Sequence, residues 1–359
     1  MEKAGSANRK QRKEYLDLIR IIAIVLVLFN HTGNRGFVFF TQARESLLYP
    51  FYLCGSVLIK TAVPLFFMVS GALLLGKKEG YRAVLKRFFR FSAILLIASF
   101  IAYLYKCFRL HTVDFSLISF FETVYKEPVS VQFWYMYVYL VYILMLPFLR
   151  CLARNMDRKA FQWLFIMYAF INSLTVIDFV LWQGRITHYS GFSMFIANNN
   201  LFFPLMGYYL DNLLKKEEYN RKALYKLLAL SLISVAVCCA VTHMKCALLD
   251  DWSEKTAQSL FNNVVYMPAC TAFYGIKALF IKRNIGERLK KVITTLGGAT
   301  FGLYLIEQIC RHETEPVFTA LEPVIHTVPA CMIWILTACA MGIVITLLIK
   351  KIPRVGKYL

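Results

Sequence analysis

Arg20 and His31 stand eleven residues apart in the apolar stretch "LDLIRIIAIVLVLFNHTGN", which runs from Leu16 to Asn34. At about 100° per residue, eleven positions make three helical turns with roughly 20° left over, so both side chains share one face, about 16 Å apart along the axis. Asp17, three residues before Arg20, belongs to the same stripe. An ionisable group inside a membrane span costs about 2.5 kcal/mol or more on insertion scales and faces a cavity or a partner. A neutral imidazole can take a proton from a hydroxyl near physiological pH, which makes His31 the candidate for proton transfer. The other histidines, His111, His188, His243, His312 and His326, fall in outer loops or at outer helix ends. The plainer readings are that Arg20 snorkels to the boundary and that His31 makes a packing hydrogen bond. Their common face argues for more than either.

A second constellation lies in "EGYRAVLKRFFRFSAILLI", where Lys86, Arg87 and Arg90 open a later span. Arg87 and Arg90 are helix neighbours, and two guanidiniums beside a helix start suit phosphate oxygens through bidentate bonds and the helix dipole. The alternative is a charge cluster that only sets topology. Asp178 and Glu307 sit in the outer parts of spans five and nine, as loop-edge residues or as groups that contact a polar substrate or orient an imidazole. Asn198, Asn199 and Asn200 open the sixth span and cap it or bond sugar hydroxyls, the cap being favoured. Gly298 and Gly302 form a GxxxG, read as close helix packing. Pro64 is expected to kink the second span, with Ser70 and Gly71 permitting close approach. No spacing of cysteine or histidine suggests a metal site.

The elements that must hold these residues are membrane helices. Of the 359 residues 58% are hydrophobic, and mean hydropathy is +0.54, beyond the range of soluble domains. Ten apolar runs are long enough to be spans of about 20 residues: 16–34, 57–76, 88–105, 131–149, 160–182, 197–213, 223–243, 261–280, 292–310 and 329–349. The net charge of +20 does not mark a nucleic-acid protein. With residue 1 inside, 31 of the 41 Lys and Arg fall on inner segments, the positive-inside pattern, and both termini are expected in the cytoplasm. The first run is too long for a signal peptide and has no cleavage site. Cys54, Cys107, Cys246 and Cys310 lie near the outer face, where a disulfide is feasible, but spacing names no pair.

These stretches, taken in order, resemble the membrane acyltransferase 3 family. "YLDLIRIIAIVLVLFNHT" is similar to its opening motif, a basic residue eleven positions before a His, and "VPLFFMVSGALLL" to its second span. "KRFFR" fits its Arg-x-x-Arg motif, and "VQFWYMYVYLVYILMLPFLR", "LFFPLMGYYL" and "TFGLYLIE" are similar to later spans. The resemblance implies an all-α polytopic bundle in the cell membrane, with a basic segment 1–15, a transmembrane domain 16–350 and a tail 351–359. It implies an O-acyltransferase using cytoplasmic acyl-CoA, commonly acetyl-CoA, as co-substrate without a resident cofactor, and a hydroxyl of surface carbohydrate or a lipid-linked precursor as acceptor. Carried over, His31, as general base or transient acyl carrier, and Arg20, its motif partner, are catalytic, and Arg87 with Arg90, beside Lys86, sits at the CoA phosphates. Asp17, Asp178 and Glu307 are candidates for substrate contact. Where many relatives read "YLIH", this chain has Glu307. The competing class is a transporter using the same polar stripe; it lacks support from a duplication of halves or from paired broken helices.

Overall fold

The computed structural model describes residues 13–189, 199–353 and 356. The basic stretch 1–12, Asn198 and part of the 351–359 tail lie outside the described residues. Among the described residues the chain is helical, with no strand: α1 (Glu14–Asn30), α2 (Tyr49–Ile59), α3 (Ala62–Leu74), α4 (Tyr81–Phe108), α5 (Leu117–Lys126), α6 (Trp134–Asn155), α7 (Arg158–Trp182), α8 (Asn199–Tyr208), α9 (Arg221–Leu249), α10 (Glu254–Ala257), α11 (Tyr266–Lys282), α12 (Glu287–Ile325) and α13 (Thr327–Lys350). Backbone groups in hydrocarbon must be satisfied within their own segment, which is why such apolar runs fold as helices.

Among the described residues seven helical segments are long and apolar enough to cross a bilayer, and the pair Glu254–Asn263 and Tyr266–Lys282, bent by 58°, makes an eighth. Each of the ten expected runs has a helical counterpart, but α1 and α8 are shorter than a full crossing. Both lie inside the bundle. α1 packs on α12, α3, α11 and α13, and α8 packs on α3. A helix surrounded by protein need not match the hydrocarbon thickness, whereas α7 and α9, with little of their surface buried, must.

The second run begins earlier than expected, at Tyr49, and its break falls at Lys60–Thr61, before Pro64. A proline ring clashes with the carbonyl four residues back, here that of Lys60, so the discontinuity is displaced toward the helix start. Gly71 permits the expected close approach. A Cβ there would lie 1.9 Å from the Pro204 carbonyl oxygen, and one at Gly207 would lie 2.0 Å from that of Met68, so α3 and α8 meet backbone to backbone. The ninth run was expected to end at residue 310, where charges begin, but α12 continues to Ile325. At about 58 Å it is nearly twice the thickness of the hydrocarbon core. α13 turns back along it after His326, which takes a positive φ of 80°. The 106–130 connection holds α5, started by Ser116, whose side chain accepts from the Ser119 N–H. Phe120 of α5 packs on Phe100 and Tyr103.

Candidate active site

α1 stops at Asn30, and His31 is its C-cap, with its N–H donating to the Leu28 carbonyl at 3.2 Å. Thr32 pins the exit. Its hydroxyl donates to the Phe29 carbonyl (2.7 Å) and accepts from the Phe37 N–H (2.9 Å), and Gly33 follows at φ +54°. The imidazole Nδ1 lies 2.9 Å from Glu307 Oε1. Glu307 is fully buried, and its Oε2 accepts from Arg311 Nε at 2.8 Å. Arg311 Nη1 closes the ring by donating to the His31 carbonyl at 2.9 Å, and Trp334 Nε1 donates to the Arg311 carbonyl at 3.0 Å.

A buried carboxylate is costly unless paired, and Glu307 has a partner on each oxygen. As an acceptor it holds Nδ1 in the protonated form, which leaves Nε2 as the basic nitrogen. The Glu307–Arg311 pair is one helix turn apart, a spacing readable in the sequence. Arg311 is absent from the candidates read from sequence because it lies one residue beyond the apolar run 292–310.

Among the described residues, cavities lie at both ends of the α1 stripe. One, of about 590 Å³, is lined by His31 with Asn30, Lys60, Gln132, Trp134 and Asn262 among others. The second, of about 370 Å³, lies at the other end of the stripe and is lined by Arg20, Ser70, Arg90, Gly298 and Lys350. Phe66, Tyr135 and Tyr304 line both, so they form the wall between them. Tyr135 sits 6.1 Å from the Phe66 ring and 6.0 Å, edge to face, from that of Tyr304. The Tyr304 hydroxyl donates to the Gln132 carbonyl at 2.6 Å. The stripe of α1 thus connects two chambers, with His31 in one and Arg20 in the other.

Asp17 is buried and pairs with Arg20 (Oδ1 to Nη1, 3.0 Å). Its Cβ would lie 2.4 Å from a Cβ at position 297, so Gly297 admits this contact between α1 and α12. The expected GxxxG is therefore divided. Gly302 packs on Thr346, while Gly298 lines the smaller cavity and its carbonyl accepts from Lys350.

The Arg-x-x-Arg pair is also divided. Arg90 lines the cavity of Arg20. Arg87 binds Glu79 through both guanidinium ends, at 3.0 and 3.2 Å. Buried Arg150 donates to the same carboxylate at 2.8 Å and to the Leu74 carbonyl at 3.0 Å. Glu79, in the loop between α3 and α4, has its pKa brought down to about 2, chiefly by the Arg87 hydrogen bond and further by Arg150, against an opposing effect of desolvation. Lys86 is exposed and is not among the residues that line that cavity.

Asp178 is set apart from the His31 cavity lining. It accepts from the backbone N–H of His188 at 2.9 Å and lies 2.6 Å from that ring's Nδ1. Asn199 accepts from the Tyr168 hydroxyl, and with Asn200 it lines the His31 cavity. Among the cysteines expected near the outer face, Cys54 faces Cys239, at 3.5 Å between sulfurs, and both are thiols.

Neither the curated proteins nor the solved structures offer a match to the chain. The sequence model of the acyltransferase domain does match, over residues 13–349, from the start of α1 to the end of α13. A basic nitrogen in one chamber, cations in another and this nearly full-length match lead to one conclusion: the chain is a multi-pass membrane protein that belongs to the acyltransferase 3 family.

Proposed function

We propose that the protein transfers an acyl group, acetyl in the simplest case, from cytoplasmic acyl-CoA to a hydroxyl of a cell-envelope carbohydrate or lipid-linked precursor in the plasma membrane. The observation that carries this reading is His31, held by Glu307 and through it by Arg311, in the lining of one cavity, with Arg20, Arg90 and Lys350 around the other. In it, CoA phosphates rest at the Arg20 end, which the charge bias assigns to the cytoplasm, with Arg90 as a principal contact. The pantetheine arm, long and thin, passes the Phe66–Tyr135–Tyr304 wall and brings the thioester to His31.

His31 Nε2 takes the proton of the acceptor hydroxyl as the new C–O bond forms, and Glu307 stabilises the imidazolium. When the C–S bond breaks, the same nitrogen returns the proton to the CoA sulfur, so charge and protons balance. Asp17 holds Arg20 in place, and Arg20 offsets the negative charge of the donor.

The test is acyl transfer by purified protein in nanodiscs from radiolabelled acetyl-CoA to an envelope-carbohydrate extract. Wild type is expected to label an acceptor and release CoA, and His31→Ala to lose transfer while still entering nanodiscs as a folded monodisperse species. Undiminished transfer by His31→Ala overturns the assignment.

A further inference from the structure

The larger cavity carries a charge that the acyl-transfer step does not use. Lys60 lines it at the break between α2 and α3. Among the described residues it forms no ion pair. Its ammonium lies 4.7 Å from the Phe37 ring centre, and the carboxylate of Glu254 attracts it only from beyond pairing distance. No Asp or Glu is among the described residues that line this cavity. A cation kept inside a membrane bundle without a carboxylate in pairing distance is expensive, which makes the cavity a candidate site for an anion.

A second, independent observation points to the same space. The Gln132 side chain is 2% exposed, and its Oε1 makes no hydrogen bond among the described residues; the same holds for the buried Oδ1 of Asn30. Both residues line the cavity. Buried side-chain oxygens without a donor are uncommon in folded proteins, and hydroxyl groups of a ligand would satisfy them. Trp134, at the same wall, supplies a flat apolar face of the kind on which a sugar ring rests.

We infer that the acyl acceptor is an acidic polyol, a saccharide bearing a carboxylate or a phosphate, with Lys60 as its charge-recognition residue and Gln132 and Asn30 accepting from its hydroxyls. This rests on reading the cavity as the acceptor chamber. It deepens that reading by fixing the sign of the acceptor's charge. Lys60 acts on affinity and leaves proton transfer to His31, so its removal raises KM for the acceptor more than it lowers kcat.

The experiment uses the full chain in nanodiscs, radiolabelled acetyl-CoA and an envelope-carbohydrate extract in three forms: untreated, treated with phosphatase, and methyl-esterified at its carboxylates. The labelled product is run on an anion exchanger. The expected result is a retained, acidic product. Phosphatase abolishes labelling if the anion is a phosphate, and esterification does so if it is a carboxylate. Lys60→Gln is expected to raise the acceptor KM about tenfold or more, the loss of one charge-assisted contact, with Lys60→Arg recovering most of it. A neutral labelled product, or an acceptor KM unchanged in Lys60→Gln, overturns this inference while acyl transfer stands. Absence of any label with wild type overturns the acyl-transfer reading itself, and this inference with it. Should Lys60→Gln fail to fold, the charge of the wild-type product and the response to the two treatments decide alone.

Discussion

His31 by itself is a weak signal, since a lone imidazole in a span often makes only a packing bond. Its partners make it informative. Glu307 is fully buried, holds Nδ1 at 2.9 Å and is itself held by Arg311, so the ring has one orientation and one basic nitrogen. Glu307→Gln keeps the shape but removes the charge, and its amide can present a donor to Nδ1, which favours the wrong tautomer. By analogy with the loss of a buried carboxylate behind a catalytic histidine, kcat is expected to fall between about 10²-fold and 10⁴-fold with KM for acetyl-CoA little changed. Steady-state CoA release checks this, and an unaltered kcat would remove Glu307 from the mechanism. Glu307 thus contacts the His31 ring directly.

The start of α4 separates two arginines that a motif treats as one unit. Arg90 lines the smaller cavity, whereas Arg87 ties α4 to Glu79 and, through it, to Arg150 of α6. Arg90→Gln is therefore expected to raise KM for acetyl-CoA by about tenfold, and Arg87→Gln chiefly to lower thermal stability in detergent. Equal effects of both on KM alone would restore the pair as a single site. Glu79 adds a pH signature. Its pKa is depressed from 4.5 to about 2, so the stabilisation from this junction is fully present above the ordinary carboxylate range and is lost as pH falls from about 4.5 toward 2. Melting temperature followed across that window is expected to fall more for wild type than for Glu79→Gln, which has no charge to lose there. Parallel curves would show that the junction contributes nothing.

At the scale of the whole molecule, an aromatic wall stands between the His31 and Arg20 chambers. Tyr135 contributes to both linings, so Tyr135→Ala is expected to join them and let water follow the donor. The ratio of CoA released to label transferred should rise several-fold above that of wild type, and a constant ratio would mean that the wall does not separate water from donor. The amino-acid sequence by itself determined the fold class, the helical counterparts of ten runs, the shared face of Asp17, Arg20 and His31, and the family. Hydropathy and helical period are local properties, and a span in lipid has almost no alternative to an α-helix. Only the tertiary structure decided which polar groups meet. His31 and Glu307 lie 276 positions apart, and nothing local brings them to 2.9 Å. Arg87 and Arg90 read as one pair until packing put Arg90 in the lining of a cavity and Arg87 against a carboxylate. The extension of α12 to Ile325 was hidden for the same reason: its charged turns look like a loop until α13 packs along them. Local sequence sets the periodicity of an element, whereas pairing, burial and the shape of a cavity arise from contacts between elements, whose energies are not written in either one alone.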